Sequence, residues 1–223
     1  DASGDLLAGV AATALRLRLR SHRAVECAVD ASVPGLMGGA VEGVQVSGER
    51  WCSPQQLTCE SLDIRVGRVG IDTSALMLRR AVVLQDPAIG EGKLSFTAAD
   101  FGNFLRHPLM KQTGARFGFL ADGAGVELCD GAVRFSGVSQ EGGGQPYRVA
   151  MEQRRAPAKG VRVSGLSEGS EALAAELEAF FSALTIDLDG AELTYRHMRV
   201  TDALVELTLD VRVRKFPPLN VSF

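Results

Sequence analysis

The length, composition and charge of the chain favour a folded protein and exclude several functions. Its 223 residues, 46% hydrophobic and 23% charged, are enough to bury a core. The net charge of −3, with Lys and Arg scattered among Asp and Glu, argues against a partner made of nucleic acid. No apolar stretch approaches the roughly 20 residues needed to span a bilayer.

The first half of the chain predicts a helix followed by one-sided strands. Residues 6–19 carry apolar side chains at helical spacing. Pro34-Gly35 predicts the end of the first strand, and Gly67 interrupts the alternation of the third, which indicates a bulge or a bend. Asp86-Pro87 has turn chemistry and predicts a hairpin between the last two strands. Strands are predicted at residues 25–29, 41–51, 62–71, 81–84 and 93–96.

The second half predicts two amphipathic helices and further alternating strands. Thr97, three residues before Asp100, is an acceptable N-cap for a short helix that ends before Pro108. A longer helix is predicted over residues 170–184, with Leu173, Leu177, Phe180 and Leu184 in one stripe. Strands are predicted at residues 126–128, 133–138, 147–152, 161–163 and 205–213.

The strand pattern predicts the fold class. Strands that alternate apolar and polar residues belong to antiparallel sheets with one wet face, whereas buried parallel strands are apolar throughout. We therefore predict an α+β fold with a mainly antiparallel sheet, in a single domain over residues 1–223. The apolar face must be covered by helices, by curling of the sheet or by a ligand.

The chain contains no recognisable catalytic motif. No nucleophile elbow and no paired-histidine zinc motif is present, so we predict no enzyme, no cofactor and no metal. Asp187 and Asp189 leave two interpretations open, an acid–base or cation-binding pair and an ordinary turn. Replacing both without loss of a detected activity would remove the best candidates for a hydrolase.

Two other groups of residues also leave alternatives open. Cys52 and Cys59 bracket a short loop, and they are either free thiols or a disulfide in an oxidising compartment. A basic cluster in and after the first helix is either a solvated helix face or a contact for anionic lipid headgroups. Its members are Arg16, Arg18, Arg20 and Arg23.

The chain resembles the LmeA-like phospholipid-binding family in the order of these elements and in two short segments. The segment Val33–Val44 resembles the small loop that ends in Gly-x-Val before a strand. The segment Phe96-Thr97-Ala98-Ala99-Asp100 is similar to the family's helix start. The resemblance spans most of the chain and rests on short motifs. The cysteines, Trp51 and the arginine-rich first helix depart from the pattern.

The resemblance implies a curved antiparallel sheet wrapped around helices, similar to tubular lipid-binding domains, with an apolar groove for acyl chains. It implies a lipid partner, peripheral membrane contact, and a location in the chloroplast or the bacterial envelope after removal of a leader. The alternative is a structural or assembly subunit with a protein partner. The predicted lipid-binding residues are Phe101, Phe104, Leu105, Phe117, Phe119, Phe180 and Leu184.

Overall fold

Antiparallel sheets dominate the computed structural model of the chain. The structure describes residues 5, 8–9, 11–13, 15–16, 19–72, 74–75, 83–129, 131–140, 143–188 and 190–215. Within these ranges the strands form one seven-stranded, one four-stranded and one two-stranded sheet, and every pairing is antiparallel. The predicted α+β class is confirmed.

The strands follow the alternating segments of the sequence. Their bounds are β1 Ala24–Asp30, β2 Ala40–Val41, β3 Gly43–Cys52, β4 Thr58–Val66, β5 Val69–Gly70, β6 Ala88–Phe96, β7 Glu127–Cys129, β8 Ala132–Val138, β9 Pro146–Gln153, β10 Val161–Gly165, β11 Thr185–Leu188, β12 Ala191–Val200 and β13 Val205–Val213. The predicted interruption at Gly67 is confirmed, because β4 ends at Val66 and β5 pairs separately with β2.

The seven-stranded sheet has the order β1-β3-β4-β6-β13-β12-β11 in the described part of the chain. Its centre is the pair β6 and β13, which are matched from Ala88 opposite Val213 to Phe96 opposite Val205. β4 occupies the other edge of β6. The predicted hairpin of residues 81–84 with 93–96 is therefore wrong, because both edges of β6 are taken and Leu84 bridges to Ile71 instead. Residues 81 and 82 lie outside the described residues.

Side chains cap the start of three of the four helices described below. Helix α2, Ala98–Arg106, carries a full capping box: Thr97 Oγ1 accepts from the Asp100 N–H at 3.2 Å, and Asp100 Oδ2 accepts from the Thr97 N–H at 3.1 Å. This start and the end before Pro108 confirm the predicted helix. The bounds are α1 Val33–Met37, α2 Ala98–Arg106, α3 Pro108–Gly114 and α4 Glu171–Ser182.

The structure corrects one turn prediction and agrees with much of the first helix prediction. Pro34-Gly35, predicted as a strand-ending turn, lies inside α1, because proline is tolerated in a first turn and Ser32 Oγ caps the Gly35 N–H at 3.1 Å. The described residues between 8 and 16 are helical, as predicted, whereas Leu19 at the end of the predicted helix is not. Residues 6, 7, 10, 14, 17 and 18 of that prediction lie outside the described residues.

The largest hydrophobic cluster joins the two larger sheets through the helices. The four-stranded sheet, in the order β10-β9-β8-β7, contributes Phe135 and Val149. Leu177 of α4 and Phe101 of α2 are fully buried between them and the seven-stranded sheet. Smaller clusters lie around Val66 and Val69 at the other end of the large sheet, and around Leu193, Leu209 and Val211.

Candidate functional site

Apolar side chains line one face of the seven-stranded sheet, called the apolar face below. The register places them in three rows that run across six strands. The middle row is Cys27, Val46, Ile64, Gly92, Leu209 and Tyr195. The row on one side is Val29, Val44, Val66, Gly90, Val211 and Leu193, and the row on the other side is Val25, Gly48, Leu62, Leu94, Leu207 and Met198.

A register shift in β12 keeps the apolar face continuous. Tyr195 is opposite Leu209 and Met198 is opposite Leu207, although the two β12 residues are three positions apart. Strict alternation would put these two side chains on opposite faces of the sheet. The irregularity between Tyr195 and His197 instead brings both to the apolar face. Arg196 and His197, which lie between them, are exposed.

The opposite face of the same sheet is polar and ion-paired. Arg196 binds Glu91 at 2.8 Å and approaches Asp210 at 3.7 Å. Arg214 binds Asp187 at 2.6 Å and Glu192 at 3.4 Å. Such exposed pairs stabilise little, but they identify this side as the one that faces water.

The middle row of the apolar face is incompletely covered. Cys27, Val46 and Ile64 are partly exposed, whereas Leu209 at the far side of the row is 6% exposed. Among the residues that the structure describes, Cys27 and Val46 belong to none of the three hydrophobic clusters. The end of the row formed by β1, β3 and β4 is therefore a patch of partly exposed apolar surface, whereas its β6–β13 part is buried.

Trp51 closes the β1–β3 end of this face. A Cβ on Gly48 would collide with the Trp51 indole, so the glycine leaves the space that the ring occupies. The indole N–H donates to the Ala24 carbonyl at 2.9 Å. Trp51 also packs against the largest cluster, which fixes its position between strand and core.

Gln153 of β9 joins the four-stranded sheet to the apolar face. Its Oε1 accepts from the Tyr195 hydroxyl at 2.5 Å and from the Met198 N–H at 2.7 Å. Its Nε2 donates to the Gly160 carbonyl at 3.0 Å. Burial raises the pKa of Tyr195 to about 12, so the phenol remains a neutral donor at ordinary pH.

The predicted lipid-binding residues lie in the largest cluster and its margin. Phe101 and Phe104 pack on Phe96 with ring centroids 6.3 and 6.0 Å apart. A second aromatic group joins Phe117, Phe119 and Phe180 at 5.2–6.1 Å. Four of the predicted residues, Phe101, Phe104, Leu105 and Phe117, are at most 5% exposed. Their contact with lipid stays a prediction.

The α4 stripe differs in detail from the predicted one. Leu177 is 0% exposed, as expected for the centre of the stripe. Phe180 is partly buried and Phe181 beside it is 3% exposed. Leu184 follows the helix, which ends at Ser182, and packs against the margin of the cluster.

The predicted basic cluster is divided among different contacts. Arg16 donates from Nη2 to the Val25 carbonyl at 2.7 Å, which fixes it against β1. Arg23 lies 3.7 Å from Glu49, and Arg20 is exposed. Arg18 lies outside the described residues. Contact of these arginines with a membrane stays a prediction.

The remaining candidate residues have ordinary structural surroundings. Asp187 accepts from Arg214 on the polar face, and Asp189 lies outside the described residues. All four cysteines are free thiols, and burial raises the pKa of Cys59 to about 11. Within the described ranges, no group of three or more His, Cys, Asp and Glu side chains is arranged to hold a metal ion.

Sequence reasoning located the strands of the apolar face without identifying the face as a site. The alternation at Cys27, Val46 and Ile64 was a usable signal for a one-sided strand. Their assembly into one row depends on the order of the strands, which the alternation does not contain. Gln153 carried no signal in the sequence.

Comparisons with known proteins place the chain in a family. Among the described residues, no helix is long and apolar enough to cross a membrane. No curated protein and no solved structure gives a significant match. A family model described as LmeA-like phospholipid-binding matches residues 4–210, a range that includes all three sheets and ends within β13. The chain therefore belongs to the LmeA-like phospholipid-binding family.

Proposed function

We propose that the protein binds phospholipid by laying acyl chains along the middle row of the apolar face. The observation that carries this proposal is the partial exposure of Cys27, Val46 and Ile64 on a sheet whose other face is ion-paired. Membership of a phospholipid-binding family supports the choice of ligand.

The dimensions and chemistry of the face suit an acyl chain. From β1 to β4 the partly exposed part of the row crosses two gaps between strands, or about 10 Å at ~4.8 Å a gap. This span accommodates part of an extended acyl chain. Each methylene removed from water contributes about 0.8 kcal/mol, so contact along the row would hold a chain without any polar group. Binding of this kind requires no catalytic residue.

Mass spectrometry of the protein under native conditions tests the proposal. The protein should retain phospholipid after purification, and organic extraction should release it. Val46→Trp should displace the acyl chain because it fills the middle row, whereas Ser47→Trp places the same side chain on the opposite face and should leave binding unchanged. Circular dichroism and thermal melting of both variants exclude loss of the fold. Equal lipid retention by the two variants would contradict the assigned face.

Cys27 supplies an independent readout on the wild-type protein. Its thiol lies in the middle row, and burial raises its pKa. Bound lipid should slow alkylation of Cys27, measured by peptide mass spectrometry, and delipidation should accelerate it. Cys129 lies outside the apolar face and serves as the internal control. An alkylation rate at Cys27 that does not respond to lipid would count against the proposal.

A protein that binds phospholipid in this way could also carry it between membranes. Passage of labelled phospholipid from donor to acceptor vesicles, in proportion to protein concentration, distinguishes transfer from simple retention. A protein that is consistently free of lipid and held in a stoichiometric protein complex would favour the role of an assembly subunit instead.

A further inference from the structure

A cavity rich in arginine lies beside the apolar face. It has a volume of about 550 Å³ and is formed by the turn between β9 and β10 together with α4. Its charged lining consists of Glu152, Arg154, Arg155, Arg162 and Glu178. Gln153 also lines the cavity, and the same side chain binds Tyr195 of the apolar face. The cavity and the middle row therefore meet at Gln153.

One of the three arginines is already committed to the fold. Arg154 forms an ion pair with Glu178 and donates from Nε to the Val161 carbonyl at 3.1 Å. Glu178 Oε2 also accepts from the Val163 N–H at 3.0 Å. These contacts fix Arg154 and Glu178 against β10, and their charges compensate one another.

The other two arginines retain unused donors. Arg155 and Arg162 are exposed, and neither has an ion pair or a side-chain hydrogen bond to any residue that the structure describes. Glu152 is opposite Arg162 in the strand register, but the two are not within ion-pairing distance. Three guanidinium groups against two carboxylates leave one net positive charge on the cavity wall.

We propose that this cavity binds the phosphodiester group of a ligand through Arg155 and Arg162. Guanidinium groups bind phosphate oxygens in a bidentate manner, and a phosphodiester carries the single negative charge that matches the wall. The proposal rests on the proposed function, and Gln153 connects the cavity with Tyr195 at the β12 end of the middle row. A soluble phosphodiester has the same chemistry, and the experiment separates the two sources.

The experiment compares three ligands by binding to the complete chain. They are dioleoylphosphatidylglycerol, dioleoylglycerol, which lacks the phosphate, and glycerophosphoglycerol, which lacks the acyl chains. The test variant is Arg155→Gln/Arg162→Gln. The control variant is Arg199→Gln/Arg212→Gln, which removes two positive charges from the polar face of the large sheet. Thermal melting verifies that both variants fold.

The expected result is a loss of affinity for the phospholipid of about tenfold or more in the test variant, since hydrogen bonds to charged groups are removed. Its affinity for dioleoylglycerol should not change, and the control should behave as the wild type. If glycerophosphoglycerol binds through the same arginines and the phospholipid does not bind, the ligand is a soluble phosphodiester. That result would refute only the acyl-chain proposal. If neither phosphodiester loses affinity in the test variant, the cavity is not a phosphate site, even where lipid still binds.

Discussion

Replacing Gln153 should destabilise the junction between the two larger sheets. β11 pairs with β12 only as far as Thr194, so the next part of that edge has no strand neighbour among the described residues. Gln153 takes the place of the missing strand: its Oε1 accepts from the Tyr195 hydroxyl and from the Met198 N–H. Gln153→Leu keeps much of the volume and removes the oxygen that accepts both hydrogen bonds.

The magnitude follows from the groups left behind. Met198 is 1% exposed, so its N–H would remain buried without a partner, which costs about 1–3 kcal/mol. The Tyr195 hydroxyl adds about 1 kcal/mol, because Tyr195 is only partly buried and water replaces part of the lost bond. We expect a decrease of about 2–4 kcal/mol in the free energy of unfolding. Domains of this kind are stable by about 5–15 kcal/mol, so the effect is measurable.

Urea denaturation at neutral pH, followed by circular dichroism, measures the change. Gln112→Leu on the exposed side of α3 is the control and should alter stability by less than about 0.5 kcal/mol. The double variant Gln153→Leu/Tyr195→Phe should be more stable than the sum of the single changes predicts, because it has no orphaned hydroxyl. A Gln153→Leu variant as stable as the control, or strict additivity in the double variant, would refute the reasoning.

Two further predictions concern the start of each helix in the α2–α3 pair. Thr97→Ala removes the capping box of α2 and should cost about 1 kcal/mol in chemical denaturation, while Thr113→Ala on exposed α3 should cost less than half of that. His107 caps α3 through Nδ1, which accepts from the Leu109 N–H at 3.3 Å, and burial lowers the pKa of His107 below its ordinary 6.5. The unfolded chain then takes up the proton more readily than the folded one, so the free energy of unfolding should fall as the pH decreases below about 6.5. His107→Asn keeps a capping side chain that does not titrate, and it should reduce this pH dependence.

Local patterns in the sequence were sufficient for most of the elements. The strand at Val205–Val213 and the capping box at Thr97 follow from residues a few positions apart, and both are confirmed. The segment Pro34-Gly35 was misinterpreted, because the same dipeptide that ends a strand also begins a short helix when Ser32 is there to cap it.

Pairings between distant segments could not be predicted in the same way. Turn residues near Asp86 favoured a hairpin, but the partners of β6 are β4 and β13, and β13 lies more than a hundred residues later. Most of the predicted lipid-binding residues are phenylalanines, and such side chains also pack against one another, as Phe117 and Phe180 do. The partly exposed end of the middle row carries Cys27, Val46 and Ile64 instead, and these residues form one row only through the register of distant strands.

Exposure separates the two ends of the middle row. Cys27, Val46 and Ile64 are partly exposed, whereas Gly92 and Leu209 are buried. The lipid that we propose for the apolar face should therefore lie at the end formed by β1, β3 and β4, beside Trp51. Tyr195, Gln153 and the arginine-rich cavity lie at the other end. Val46→Trp and Arg155→Gln/Arg162→Gln thus test the two ends of the row separately.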